Sequence, residues 1–150
     1  MSTIMVLNGP NLNLLGQREP QTYGHETLAD VEAMCQEEAA KHGFKVDFRQ
    51  SNHEGALVDA IHEAGQLIKA GKMLGVVFNP GAYTHTSIAL HDALQALEIP
   101  AIEVHLSNIF AREPFRHHSY ISPTVQGIIC GLGPKGYLLA VDAIATLIKE

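Results

Sequence analysis

Short apolar runs and helical stripes alternate along this chain. Ile4 to Leu7, Met73 to Phe78, Ile99 to Val104 and Ile128 to Leu132 are largely apolar, too short for helices, and closed by Gly, Pro or polar residues. That pattern predicts strands buried on both faces. A fifth run, Phe44 to Arg49, sets Phe44, Val46 and Phe48 against Lys45, Asp47 and Arg49, and its alternation predicts an edge strand. Between the runs lie stripes of helical period. Leu28, Val31, Cys35 and Ala39 follow a Thr27/Asp30 capping pair and stop at His42-Gly43, so both ends of that helix are signalled. Leu57, Ile61, Ala64 and Ile68 form a second stripe, Leu90, Leu94 and Leu97 a third, and Leu138, Val141, Ala145 and Ile148 a last.

Strand and helix in alternation imply right-handed crossovers and a parallel sheet covered on both sides. The predicted fold class is α/β, a flavodoxin-like doubly wound sheet of five strands in the order 2-1-3-4-5, built as one domain over residues 1–150. Ligands in such sheets bind beyond the carboxyl ends of the strands, so the segments after each strand are where chemistry is sought. Length and composition agree: 150 residues with 46% hydrophobic content suit a single core. No apolar run reaches the roughly 18 residues of a membrane span and no signal-peptide pattern opens the chain, so a cytoplasmic protein is expected. A net charge of -6 lacks the basic footprint of a nucleic-acid binder. Cys35 and Cys130 lie apart in apolar surroundings and read as reduced packing thiols.

Four segments then carry the candidate chemistry. The first connection, Asn8 to Gly24, exceeds the usual 2 to 6 residues of a strand–helix loop. It reads either as a solvated loop in which Tyr23 packs, or as a cover carrying a cation, Arg18, and a phenol, Tyr23. After the third strand come Asn79 to Ser87, with Thr86 or Ser87 as helix N-cap and with Asn79 and His85 beside a helix start suited to hydroxyl or anionic ligands. The fourth strand ends in His105-Leu106-Ser107-Asn108, a histidine at the carboxyl edge. Arg112, Arg116, His117 and His118 follow, either as surface ion-pair partners or as a carboxylate site. The other histidines, His25, His42, His53, His62 and His91, read as surface or helix-face residues without a second ligand at metal spacing. No metal is expected.

The strings Asn8-Gly9-Pro10-Asn11-Leu12-Asn13, Arg18-Glu19-Pro20 to Tyr23-Gly24, Asn79 to Ser87, Glu103 to Asn108 and Arg112-Glu113-Pro114-Phe115-Arg116-His117 together resemble the type II 3-dehydroquinate dehydratases, over almost the whole chain. The resemblance implies anti dehydration of 3-dehydroquinate to 3-dehydroshikimate through an enolate, in the shikimate pathway or quinate catabolism. It implies Tyr23 as the base, Arg18 as the cation favouring its phenolate, His105 as the acid and Asn13 as the holder of a water on the enolate. Leu106 and Ser107 would receive the substrate carboxylate, while Asn79, His85 and Arg116 would bind ring hydroxyls. Asp92 would reach a neighbouring subunit, since the family assembles trimers into a dodecamer.

The residues suit that chemistry. A tyrosine has a pKa of about 10, so a phenolate at pH 7 costs about 4 kcal/mol unless a neighbour shifts it; a guanidinium five positions away supplies the charge. A Schiff-base route needs a pocket lysine, and Lys41, Lys45, Lys69, Lys72, Lys135 and Lys149 fall on helix surfaces, helix ends or strand starts. Acid–base catalysis without a cofactor is the expectation. The rival reading is a flavodoxin-like binding or signalling module, which would carry a phosphate-binding or acidic loop where this chain has Asn-Gly-Pro-Asn-Leu-Asn.

Overall fold

The computed structural model describes residues 2–17, 21 and 25–148. Arg18 and Tyr23 therefore lie outside the described residues, as does Lys149. Five parallel strands, β1 (Thr3–Asn8), β2 (Lys45–Gln50), β3 (Met73–Asn79), β4 (Ala101–His105) and β5 (Gly127–Cys130), form one sheet in the order β2-β1-β3-β4-β5. The flavodoxin-like order expected from the sequence is the observed one. Among the described residues four α-helices cover it: α1 (Leu28–Lys41), α2 (Glu54–Lys69), α3 (Ile88–Ala96) and α4 (Lys135–Leu147). None of them is long and apolar enough to cross a membrane.

Strand side chains alternate between the faces, and the core divides accordingly. Ile4, Val6, Val77, Ile102 and Val104 pack with residues of α1 and α4, whereas Met5, Leu7, Val76, Phe78 and Ala101 pack with α2 and α3. The capping pair forms as expected: Thr27 Oγ1 accepts from the Asp30 backbone N–H at 3.1 Å, and Asp30 Oδ2 accepts from that of Thr27 at 3.0 Å. At α3 the cap is Ser87, whose Oγ accepts from Leu90 N–H at 3.0 Å.

Three expectations need correction. The run Ile128 to Leu132 is not covered on both faces, because β5 is the outer strand; Ile128 is 45% and Leu132 54% exposed. Leu97 is not part of the α3 stripe. The helix stops at Ala96, Glu98 takes a left-handed φ of 50°, and Ala93 fills the buried position instead. In α4 the buried stripe is Tyr137, Ala140, Val141 and Ile144, one step away from the expected set, leaving Leu138, Ala145 and Ile148 only partly covered. An apolar helix such as this offers several candidate stripes, and packing chooses among them.

Candidate active site

A cleft of about 140 Å³ lies at the carboxyl ends of the strands. It is smaller than the roughly 300–1,000 Å³ of pockets for drug-sized ligands, which points to a compact ligand. Its lining comes from three strand ends and the loops that follow them: Pro10, Asn11 and Leu12 after β1, Asn79 at the end of β3 with Gly81, Ala82 and His85, and His105 at the end of β4 with Leu106, Ser107, Ile109, Arg112 and Arg116. The first two loops are clasped together. Gly9 N–H donates to Asn79 O at 2.8 Å, and any Cβ at position 9 would collide with the Pro80 carbonyl, so only glycine permits this approach.

Beside His105 lies a buried carboxylate, Glu103, which sequence reasoning passed over. Residues two apart on a strand share a face, so Glu103 and His105 project together from β4. His105 Nε2 lies 2.6 Å from Glu103 Oε2. Glu103 is fully buried and also accepts from Thr84 Oγ1 at 2.7 Å, from Ser122 Oγ at 2.5 Å and from Ser119 Oγ at 3.1 and 3.2 Å. Burial pushes its carboxyl up, but His105, by hydrogen bond and by charge, together with the Ser122 and Thr84 hydroxyls, outweighs that. The net shift is below the usual carboxylate range. An ionised carboxylate only accepts, so His105 Nε2 carries the proton between them, leaving Nδ1 for a ligand. A signal for Glu103 was present. A charged residue inside an apolar strand is expensive unless paired, and the partner lies two positions on.

His85 stacks on His105, ring centroids 6.5 Å apart and planes 18° apart. Its Nδ1–H donates to the His118 carbonyl at 2.8 Å. Burial lowers its pKa against the opposing pull of that bond, with the charges of His105 and Arg116 lowering it further. A neutral His85 therefore turns Nε2 outward as an acceptor, as a ligand hydroxyl requires. Arg112 Nη1 donates to Ser107 Oγ at 3.4 Å, and Arg116 Nε donates to Glu113 Oε1 at 3.1 Å. Both guanidiniums border the cleft.

Of the residues singled out from sequence, Asn79, His85, His105, Leu106, Ser107, Arg112 and Arg116 converge on the cleft. Asn13 is exposed one position beyond the lining residue Leu12, with Gln50 Nε2 3.5 Å from its Oδ1. Asp92 is exposed on α3 and does not line the cleft. Among the described residues no lysine lines it. Asn11, held in a left-handed φ of 69° and anchored by its N–H on Asn52 Oδ1 at 3.0 Å, is a lining residue the sequence did not single out. His42 also needs correction, since it is not without neighbours of ligand type. Glu38, one turn earlier, and Asp142 on α4 bring ligand atoms within 4.8 Å of one another. His42 and Asp142 are paired at 3.0 Å where α1 meets α4, and none of the three lines the cleft.

Fold and site together define a flavodoxin-like α/β protein whose sheet presents a carboxylate–imidazole pair and a polar cleft at its carboxyl edge. Residues 2–145 match the model of the family described as Dehydroquinase class II. The chain is 66% identical over 149 residues to the 3-dehydroquinate dehydratase of Marinomonas sp. (strain MWYL1), covering 99% of each chain. It is 67% identical over 144 residues to that of Variovorax paradoxus (strain S110), covering 96% of this chain and 99% of the other. The crystal structure of a type II dehydroquinase from Propionibacterium acnes superposes with a TM-score of 0.90 at 48% identity, with 97% of each chain covered. The chain belongs to the class II dehydroquinase family.

Proposed function

We propose that the chain is a single catalytic domain that dehydrates 3-dehydroquinate to 3-dehydroshikimate by cofactor-independent acid–base catalysis. The observation that carries this reading is the buried Glu103 carboxylate on His105, set in a cleft with Asn79, His85, Ser107 and Arg116. Loss of water from the substrate needs a proton removed beside the ketone and another delivered to the departing hydroxyl. His105 is the acid. Glu103 stabilises its imidazolium and holds Nε2, so the proton leaves from Nδ1. Tyr23 is the base, made a phenolate by Arg18, and Asn13 holds a water on the enolate oxygen. The Leu106 amide and Ser107 take the carboxylate. His85 accepts a hydrogen bond from a ring hydroxyl, and Asn79 and Arg116 hold the others. The absence of lysine from the described lining supports a route without a Schiff base.

Asp92 serves a neighbouring subunit in a dodecamer of trimers; its exposure on α3, away from its own cleft, supports that placement. A cytoplasmic setting fits the unpaired thiols Cys35 and Cys130. The test is to follow enone absorbance after adding 3-dehydroquinate to wild-type protein and to Tyr23→Phe. Turnover should be robust in the first and lost in the second, with substrate binding still measurable. A silent wild type would remove the reading, and an active variant would remove the base.

A further inference from the structure

Tyr137 takes no part in the roles above, yet among the described residues it is the largest side chain buried completely, and its hydroxyl sits between two asparagines. Asn8 and Asn79 are register partners at the carboxyl ends of β1 and β3. They follow Val6 and Val77 by two positions, so both project toward the α4 side of the sheet, where Tyr137 opens the buried stripe of that helix.

Hydrogen-bond polarity along this chain of groups has one solution. Asn8 Nδ2 lies 3.0 Å from the Arg49 carbonyl, which only accepts. Asn8 must therefore turn Oδ1 to Tyr137, and the single hydroxyl hydrogen goes to it across 2.7 Å. The tyrosine oxygen is left as acceptor and takes Nδ2 of Asn79 at 2.8 Å. At the far end Asn79 Oδ1 accepts the Gly81 N–H at 3.1 Å. The relay is thus pinned by backbone at both ends: flipping Asn79 would set its Nδ2 against the Gly81 N–H, donor against donor, and flipping Asn8 would set its Oδ1 against the Arg49 carbonyl, acceptor against acceptor. Burial also raises the Tyr137 pKa well above its usual value, so the hydroxyl keeps its hydrogen.

We infer that Tyr137 is a positioning residue, locking the amide of Asn79 so that the group it offers the cleft is the second Nδ2 hydrogen, a donor to a substrate oxygen. The inference rests on the reading of Asn79 as a ring-hydroxyl ligand. Without the lock, Asn79 is held by the Gly81 N–H alone, and its Nδ2 is free to swing off the line it keeps toward the substrate oxygen, which weakens that hydrogen bond.

Tyr137→Phe removes one oxygen atom and leaves the ring in place. KM for 3-dehydroquinate should rise about tenfold, the scale of one hydrogen bond. The turnover number should change by less than about twofold, because a contact remote from the bonds being broken acts alike in ground and transition states. Introduced into Asn79→Ala, the same change should raise KM no further. A lower melting temperature with KM unchanged would reduce Tyr137 to a structural role and overturn the inference, as would a full additional rise in the Asn79→Ala background. If Tyr137→Phe does not fold, Asn8→Ala provides the same reading. It deprives the hydroxyl of its acceptor and lets its hydrogen turn toward Asn79, so KM should again rise, and an unchanged KM overturns the relay. A wild type that does not turn over 3-dehydroquinate removes the reading of the site itself, an outcome separate from these.

Discussion

Two carboxylate clusters in this protein share a distance and little else. His105 Nε2 and Glu103 Oε2 on β4 are 2.6 Å apart, and so are Arg49 Nη1 on β2 and Glu63 Oε2 on α2. Arg49 also binds Asp47 through Nε at 3.0 Å and Nη2 at 2.8 Å, and its guanidinium is held further above its usual range, first by the hydrogen bond to Glu63 and then by that to Asp47. Both Glu103 and Glu63 lie below the ordinary carboxylate range. The Arg49 cluster faces solvent, however, with half of the Glu63 side chain exposed, whereas Glu103 is sealed under three hydroxyl donors. Water and salt screen the first pair. The second sits in a low dielectric where an unmatched charge is expensive, which tightens its hold on the imidazole. Contact length alone separates neither role nor energy.

The sharpest way to break this comparison is at the proposed acid. His105→Ala should lower the turnover number by about 10³-fold, within the range of general acid–base contributions, when enone formation is followed at saturating substrate. A rate within tenfold of wild type would take the acid role away from His105.

Removing its partner tests burial directly. Glu103→Ala strands His105, Thr84, Ser119 and Ser122 without their acceptor, so denaturant unfolding should show a loss of about 3–5 kcal/mol. The milder Glu103→Gln should still slow turnover by roughly 10²-fold, because a neutral amide cannot stabilise the imidazolium. An active, fully stable alanine variant would make the two clusters equivalent after all.

Acid should separate them further. The pKa of Glu103 is lower folded than unfolded, so its stabilisation is complete above the unfolded value of about 4.3 and is lost as pH falls through the folded one. Melting temperature measured from pH 6 downward should fall steeply below about pH 4 in the wild type and less so in Glu103→Gln. Parallel curves would assign the acid sensitivity elsewhere. The smallest effect belongs to the surface. Arg49→Ala should cost no more than about 1 kcal/mol and should fade in salt, with the turnover number unchanged.

Much of the fold was legible in periodicity. Buried strands read as apolar runs and α1 announced both ends through Thr27, Asp30 and Gly43, because local backbone and capping preferences are properties of short segments. The edge position of β2 showed in its alternation, yet that of β5 did not, since Ile128 to Leu132 is as apolar as a central strand. The α4 stripe was misplaced for a related reason. With apolar residues around most of the helix, only contact with the sheet could decide that Tyr137 and Ile144 face inward.

The same division runs through the site. By itself the sequence determined the five-stranded order, the strand ends where chemistry collects, and the family, because these depend on spacing along one chain. Only the tertiary structure decided which side chains meet. It set Thr84, Ser119 and Ser122 on Glu103, left Asp92 outside the cleft lining, and threaded Tyr137 between Asn8 and Asn79. Those partners lie from 16 to 129 positions apart. No local pattern encodes such pairs, because hydrogen-bond direction and burial are properties of the assembled sheet and its loops.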